Sequence, residues 1–476
     1  MEGTSLEMVT ATNDNKPCQD LKIVDLNKYN IYPSYRAGQK EAITSILENY
    51  EKIRVGEINS KVIELSSPTG SGKCHGKNTK IIMYDGSIKN VQDVSVGDYL
   101  MGPDSKPRKV LGLSNGFDLL YKITPIRGGN SFTCTGNHVL NLVKTNDGTA
   151  KNKPSTNVTV EEYIAANKTF RHVYKLWHSG AIDFEHKNNK LPIPPYLLGV
   201  WLGDGYNGLP TITNPDIEIK EYLYEYAKNN GLHIRVSHQS ATECPTFHFS
   251  NNGIKSVFYE FVKDLKNTYG IKRIPSYYIT ESIKNRAELL AGILDADGYY
   301  HHCGYELIVK HDELASDIAY LARSLGISVS TSKKTATIKQ SGFSGIYNRL
   351  RMSGNELMQV PCKVERKKPQ QRTQKKRSNV TGFKIEQIGP GEFYGFEVSG
   401  DHLYLLDDFT VTHNSLMLTV AARAMLDLYP DEIKKVVYTT PLKALVYQLE
   451  EEEKLGIPVV LGKSNYDCLL LEGLDA

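Results

Sequence analysis

The sequence has no long apolar run. No stretch approaches the roughly 18 consecutive apolar residues of a membrane span, and Met1 to Asp20 is too polar for a secretory signal. Both absences point to a cytoplasmic or nuclear protein with no membrane partner. Paired cysteines are missing as well. Seven cysteines (Cys18, Cys74, Cys134, Cys244, Cys303, Cys362 and Cys468) are scattered and odd in number, without a Cys-x-x-Cys pair. That argues against a disulfide framework or a zinc finger, and each cysteine has to be read singly. There is little excess of either charge: a net +3 implies no polyanion partner unless basic residues cluster. What is present is an ordinary globular composition, 40% hydrophobic and 23% charged. The 476 residues suffice for about three domains at roughly 100–200 residues each.

The most informative motif stops one residue short. After the apolar run Val62 to Leu65 comes Ser66-Ser67-Pro68-Thr69-Gly70-Ser71-Gly72-Lys73, a phosphate-cradling loop that requires Ser or Thr next and then a helix. Cys74 and His75 follow instead, leading into strand-like, turn-rich sequence. The missing piece is at Ser415, which opens the helix-forming run Leu416 to Ala422. Joining Lys73 to Ser415 restores the loop. Residues 74–414, 341 positions, therefore read as an insertion, leaving 135 of the 476 as interrupted host.

The insertion contains a duplication. Tyr196 to Gly205 and Leu289 to Gly298 both read as apolar helices with small residues that end in Asp-Gly. Each is followed by a glycine-ended helix and a strand: Gly231 with Leu232 to Val236, and Gly326 with Ile327 to Ser330. This predicts a pseudo-twofold αβ repeat. The flanks, about 74–190 and 379–414, are short strands with Gly and Asp turns, a β-rich unit assembled from both ends. A basic stretch, Lys363 to Arg377, carries eight Lys/Arg against one Glu and reads as a solvated linker or as a contact to DNA phosphates.

Both edges of the insertion carry reactive groups. The Cys74 thiol can attack the Lys73 carbonyl and turn an amide into a thioester. The Asn414 side-chain amide can attack its own carbonyl and cut the chain before Ser415. His413, titrating near neutrality, suits proton transfer to that leaving group. Ser415 can take over the acyl group. In Thr135-Gly136-Asn137-His138 a second histidine is available to protonate the amide nitrogen leaving at Lys73-Cys74. With Cys74, Asp85-Gly86-Ser87, the Thr135/His138 pair and Val411-Thr412-His413-Asn414 before Ser415, the insertion resembles inteins, in particular those of vacuolar ATPases. Many inteins carry an aspartate where Gly395 follows Phe393-Tyr394 here. The resemblance implies self-splicing without a cofactor.

Small residues at Gly199, Gly203, Ala291, Gly292 and Ala296 let the two apolar helices pack closely and bring their acidic ends together. Adjacent Asp204 and Asp297 are a poor structural choice unless a cation neutralises them, and hard oxygen donors imply magnesium. The motif pair resembles the LAGLIDADG homing endonucleases. That resemblance implies a monomeric enzyme that cuts double-stranded DNA, its target the host gene lacking the insertion. It makes Lys272 a catalytic lysine, with Lys367 or Lys368 as the candidate symmetry mate.

The host resembles the first motor domain of a superfamily-two helicase of the XPD/DinG type, through Tyr35 to Gln39 and Val436 to Leu445 around the split loop. After ligation the resemblance puts Gln39 on adenine, Thr69, Gly70, Gly72 and Lys73 on the phosphates of ATP, and Ser415 on magnesium. It also makes Cys468 an iron-sulfur ligand in a full-length host and nucleic acid the host's partner.

The expected fold class is mixed: an all-β Hint-type splicing domain, an inserted α+β LAGLIDADG endonuclease (pseudo-twofold αββαββα), and flanking α/β helicase fragments. The expected boundaries are 1–73 for the N-terminal host fragment and 74–190 for the first part of the splicing domain. The endonuclease takes 191–369, the second part of the splicing domain 370–414, and the C-terminal host fragment 415–476. The function expected is self-excision of 74–414 with ligation of Lys73 to Ser415, plus site-specific DNA cleavage. Two other readings stay open at this point: an ATP-dependent helicase with a regulatory insertion, and a splicing element whose endonuclease is degenerate.

Overall fold

The computed structural model describes residues 74–145, 155–184, 190–238, 244–337, 344–371 and 377–413, together with Lys52. Gln39, Thr69, Gly70, Gly72, Lys73, Asn414, Ser415 and Cys468 lie outside the described residues, as do the elements expected of the host fragments.

The β-rich unit is built from both ends of the insertion. The strand Pro107–Pro125 runs antiparallel to Phe383–Val398, from the pair Phe383/Pro125 to the pair Val398/Val110. His75–Gly76 pairs on one side with Phe383–Val398 and on the other with Phe132–Thr135, which in turn pairs with Pro107–Pro125. These four strands therefore close on one another. Val139–Lys144 anchors a second sheet, between Thr156–Thr159 and Tyr174–Trp177. The side chains that alternate inward (Val110, Tyr121, Ile123, Leu140, Leu142, Phe396 and Val398 among them) form one buried cluster. The unit is not all-β. Val160–Ala165 and Lys168–Val173 are short helices, the first set by a capping box in which Thr159 accepts from the Glu162 amide and Glu162 accepts from the Thr159 amide.

The endonuclease-like unit centres on two helices, Pro195–Asp204 and Ile283–Asp297. The first is buried on nearly every side. Their contact is backbone to backbone. A methyl placed on Gly199 would overlap the Leu289 carbonyl and the Gly292 Cα, and one on Gly292 would overlap the Tyr196 carbonyl. The second half follows αββαββ, with hairpins Tyr299–His301/Gly304–Val309 and Ser328–Thr337/Ser344–Ser353 on either side of helix Asp312–Ser324, and 3-10 turns Asn355–Gln359 and Glu365–Lys367 stand where the closing helix is expected. The first half departs from αββαββα. Only Thr211–Thr213 lies between its acidic helix and helix Ile217–Asn229. The strand that would pair with it shrinks to a single bridge, Gly205 to Ile212, because the chain turns at once through Gly208 in the left-handed region (φ +79°). Gly231 and Gly326 both end their helices in that same region, at +64° and +77°.

The two units share a polar seam. Ala181 bridges Leu325, and the buried Arg286 guanidinium donates to the Ser324 carbonyl at 2.9 Å and to the Ile182 carbonyl. Among the described residues no helix is long and apolar enough to cross a membrane.

Gly199→Ala should lower the stability of this unit by about 1–3 kcal/mol, the usual cost of forcing a methyl into a filled contact. Gly180→Ala, where a methyl meets nothing within 4 Å, should be near neutral. Urea midpoints of the two variants test this, and equal midpoints would contradict the backbone-contact account.

Candidate functional site

The first site gathers both ends of the insertion. Cys74 is fully buried. The Thr135 amide donates to the Cys74 carbonyl at 3.0 Å, and Thr135 Oγ1 lies 3.4 Å from both the Cys74 nitrogen and its carbonyl oxygen. Cys74 Sγ is 3.5 Å from Ser114 Oγ. Ser114 stands opposite Gly395 in the long ribbon, so the thiol faces a hydroxyl there rather than a carboxylate. The nearest acidic residue along that strand, Glu397, is 6% exposed with neither oxygen hydrogen-bonded, and burial pushes its carboxyl up to about 7.

His138 is also fully buried, its Nε2 2.9 Å from Thr412 Oγ1. Thr412 and His413 belong to strand Val411–His413, which pairs with Leu403–Leu405. The structure thus brings Cys74, Thr135 and His138 into one cluster with the strand that carries His413. Asn414 and Ser415 follow beyond the described residues.

Three aromatic residues of this cluster are not marked by any sequence motif. The His75 ring lies 4.4 Å from that of His138, and its Nε2 is 2.8 Å from the Tyr404 hydroxyl. Burial pushes the His75 imidazole down to about 4, so it is neutral at physiological pH. His402, buried and at φ +60°, places its ring 5.8 Å from that of His413. The signal available in sequence is weak: a histidine beside a candidate nucleophile, and another in the Asp-His pair before a strand.

The second site lies where the two acidic helices end. A methyl on Gly203 would meet the Asp297 carboxylate at 3.3 Å, which sets Asp297 against the residue preceding Asp204. Burial pushes the Asp204 carboxyl up to about 6; the Asn214 amide, donating at 2.6 Å, opposes the shift and the charge of Asp297 adds to it. Burial raises Asp297 too, against the pull of Lys272 and Lys367. Lys272 Nζ donates to the Leu202 and Gly203 carbonyls at 2.9 and 3.1 Å, at the negative end of the first helix. Lys367 Nζ donates to the Asp295 and Ala296 carbonyls at 2.5 and 3.0 Å, the same relation to the second helix. Lys368 is not equivalent. It is exposed and paired with Glu365 at 2.5 Å, because the 3-10 turn Glu365–Lys367 points only its last residue inward. Burial pushes Lys272 down to about 8, while both aspartates raise it.

The described residues hold no cluster of three or more candidate metal-ligating side chains. Two neighbouring carboxylates, Asp204 half-buried and Asp297 more exposed, fit a hard divalent cation, since magnesium is held by one or two carboxylates together with waters and substrate phosphate oxygens. Two further described residues of the basic stretch are engaged within the protein. Arg366 pairs with Asp216 at 2.5 Å, and Lys363 Nζ lies 5.1 and 5.3 Å from the Tyr196 and Tyr222 ring centres.

Residues 74–190 match the family model of the homing-endonuclease-associated Hint domain, and residues 273–381 match that of the homing endonuclease. The two matches together support an intein with a homing endonuclease. It is similar to the catalytic polypeptide of the V-type proton ATPase of Candida tropicalis, 24% identical over 72% of this chain and 43% of that one. The replicative DNA helicase DnaB of Mycobacterium intracellulare is 29% identical over 47% of this chain and 35% of its own length. The homothallic switching endonuclease of Saccharomyces cerevisiae is 28% identical over 30% and 28%. The chain thus spans less than half the length of each of these relatives. Among solved structures, the gp41-1 intein is 10% identical over 72% of this chain and all of its own, with a TM-score of 0.21. I-DmoI in complex with its target DNA is 15% identical over 34% of this chain and 87% of its own, with a TM-score of 0.24.

The raised Asp204 pKa sets the sign of a stability prediction. A carboxyl that titrates higher folded than unfolded stabilises below about 3.8 and loses that contribution as pH rises through about 6. With metal chelated, Asp204→Asn should therefore exceed wild type in stability at pH 7.5 by on the order of 1–2 kcal/mol, after allowance for partial solvent screening. The difference should vanish near pH 4. Urea unfolding in EDTA at both pH values tests it, and a less stable Asp204→Asn at pH 7.5 would refute it.

Proposed function

We propose that the intein spans residues 74–414 and excises itself by chemistry at its two edges. The carrying observation is the buried cluster that joins Cys74, Thr135 and His138 to Thr412 and His413, residues from opposite ends of the insertion. Cys74 Sγ attacks the Lys73 carbonyl; the C–N bond breaks, a thioester forms, and His138 gives the departing nitrogen its proton. Thr135 holds the Cys74 backbone in place for this step. The Ser415 hydroxyl then attacks the thioester, the thiol leaves, and Lys73 is carried as an ester on Ser415. Asn414 Nδ2 attacks its own carbonyl, a succinimide forms, and the Ser415 amine is freed with His413 passing the proton. That amine attacks the ester carbonyl, and the hydroxyl is regenerated beside a peptide bond.

Asp204 and Asp297 would hold divalent metal, with Lys272 and Lys367 beside them, for a double-strand cut in DNA. Magnesium bound there would activate water and stabilise the leaving oxygen of a phosphodiester. Two carboxylates raised by desolvation, with the charge of Asp297 adding to the rise at Asp204, support a metal-dependent reading. The substrate is the host gene without the insertion, spanning the codons of Lys73 and Ser415. The host is a helicase fragment whose ATP site, with Gln39, Thr69, Gly70, Gly72, Lys73 and Ser415, is assembled only by ligation. Cys468 serves an iron-sulfur cluster in the full-length host, and nucleic acid is that host's partner. The matched relatives are unlike one another, a proton ATPase and a replicative helicase, as expected of a module that moves between hosts. The endonuclease acts as a monomer, since its two halves supply both carboxylates from one chain.

Expression of the full chain should yield a 341-residue excised protein and a 135-residue ligated host by intact mass. Cys74→Ala should abolish the thioester and Asn414→Ala should block cleavage before Ser415; unchanged splicing in Cys74→Ala would sink the assigned nucleophile.

The excised protein should cut intein-less host DNA in magnesium and spare the intein-containing gene. Asp204→Asn or Asp297→Asn should lower cutting by at least about 100-fold, with splicing unaffected. Equal cutting of both DNAs, or of neither, would defeat the homing reading while leaving the splicing reading in place.

A further inference from the structure

Tyr404 stands between the two junctions. Its strand pairs with Val411–His413 so that Tyr404 lies directly opposite Thr412. The ring is 1% exposed and packs edge-on against Phe396 and His75, with centres 5.0 and 6.1 Å away. Its hydroxyl is hydrogen-bonded to His75 Nε2 at 2.8 Å, and the strand register sets Tyr404 beside Thr412. Thr412 Oγ1 is bonded to His138 Nε2, and the His138 ring returns to His75. Four side chains therefore close a loop. His75 follows Cys74 directly and Thr412 is two residues before Asn414, so the loop is tied to the backbone on both sides of the reaction.

A phenol is an awkward way to fill this space. Phenylalanine would pack the same core without a hydroxyl that must be satisfied. The hydroxyl is also unsuited to moving protons near neutrality: burial raises Tyr404 well above its usual value, with the nearby Cys74 adding to the rise, while His75 is held near 4. Both groups stay uncharged, so what the bond supplies is direction. Direction is what acyl transfer needs, because the Ser415 hydroxyl has to reach a thioester carbonyl at the far end of the insertion. Misplacement by about 1 Å costs on the order of 100-fold in such reactions.

We propose that Tyr404 is a positioning residue that sets the two splice junctions in register, its hydroxyl clamping His75 to Thr412 so that Ser415 meets the acyl group on Cys74. This rests on the splicing reading. Removing the hydroxyl leaves each junction able to react alone and slows the transfer between them. The observable is a change in the kind of product, with ligated host giving way to separate 1–73 and 415–476 fragments.

The test uses full-length precursor, with products quantified by intact mass over time and melting temperature measured on Cys74→Ala/Asn414→Ala backgrounds that cannot react. Tyr404→Phe should reduce the ratio of ligated host to cleaved fragments at least about 10-fold, with precursor consumption changed less than about 3-fold and the melting temperature preserved. Thr412→Val, which also takes the hydroxyl partner from His138, should differ from Tyr404→Phe by slowing precursor consumption as well as lowering the ratio. A wild-type ratio in Tyr404→Phe overturns the proposal. So does a parallel loss of ligation and cleavage with a lowered melting temperature, since that marks a structural residue only. If Tyr404→Phe fails to fold, the ratio in Thr412→Val decides. Wild type run alongside separates the two readings: ligated host from wild type with an unshifted Tyr404→Phe removes only the role of Tyr404, whereas no ligated host from wild type removes splicing and this clamp with it.

Discussion

The antiparallel pairing of Pro107–Pro125 with Phe383–Val398 is the constraint on which the rest of this chain depends. These segments are far apart in sequence, so their ladder closes a very long loop, and it is anchored where its ends bury in the β core while its middle stays exposed. Phe396 and Val398 bury against Val110 and Ile123, and His75–Gly76 slots between the ribbon and Phe132–Thr135. Once the ladder exists, Cys74 lies at the same place as the final strand. The endonuclease occupies the loop it closes and adds its own core, which is largely separate from that of the β unit.

The two sites handle polarity in opposite ways. At the junctions, burial keeps the groups neutral: His75 is held down and Tyr404 held up, and the cluster is a set of directional bonds within apolar walls. At the helix ends, burial leaves charges close together, with two carboxylates raised by desolvation and two lysines seated on helix carbonyls. The first arrangement stabilises one geometry of covalent bonds. The second stores an electrostatic penalty that a cation and a polyanionic substrate can relieve. Asp295, next to this centre, is instead engaged within the fold through Oδ2, which accepts from the Tyr196 hydroxyl at 2.8 Å and the Lys363 amide at 2.6 Å.

Much of this is legible in the sequence where residue type and position are themselves unusual. A cysteine interrupting a phosphate loop, and His-Asn just before the loop resumes, stand out without any structure. So do two Asp-Gly helices rich in small residues. Sequence does not choose between Lys367 and Lys368, because adjacent lysines in a turn differ only in which one faces the helix carbonyls. Tyr404 is hidden for a related reason: in a strand, an aromatic residue reads as core whether or not its hydroxyl is used. The first hairpin of the endonuclease half is shorter than the repeat implies, since Gly205 and Gly208 leave room for a single bridge. The capping box at Thr159 and Glu162 carries a helix signal of only six residues, too short for hydrophobic periodicity to support it.

The convergence of Cys74 and His413 has a consequence for whatever the insertion interrupts. The chain enters and leaves the β unit beside one cluster, so the gap the host has to span is that of a short surface loop, whatever the length of chain hung from it. Loop-closure entropy rises only with the logarithm of length, about 0.6 kcal/mol per doubling, and even that term is removed when the loop is itself folded with its ends pinned together. Residues 74–413 therefore hang from a narrow stem, and the chain on either side of them needs only to bring two neighbouring points together.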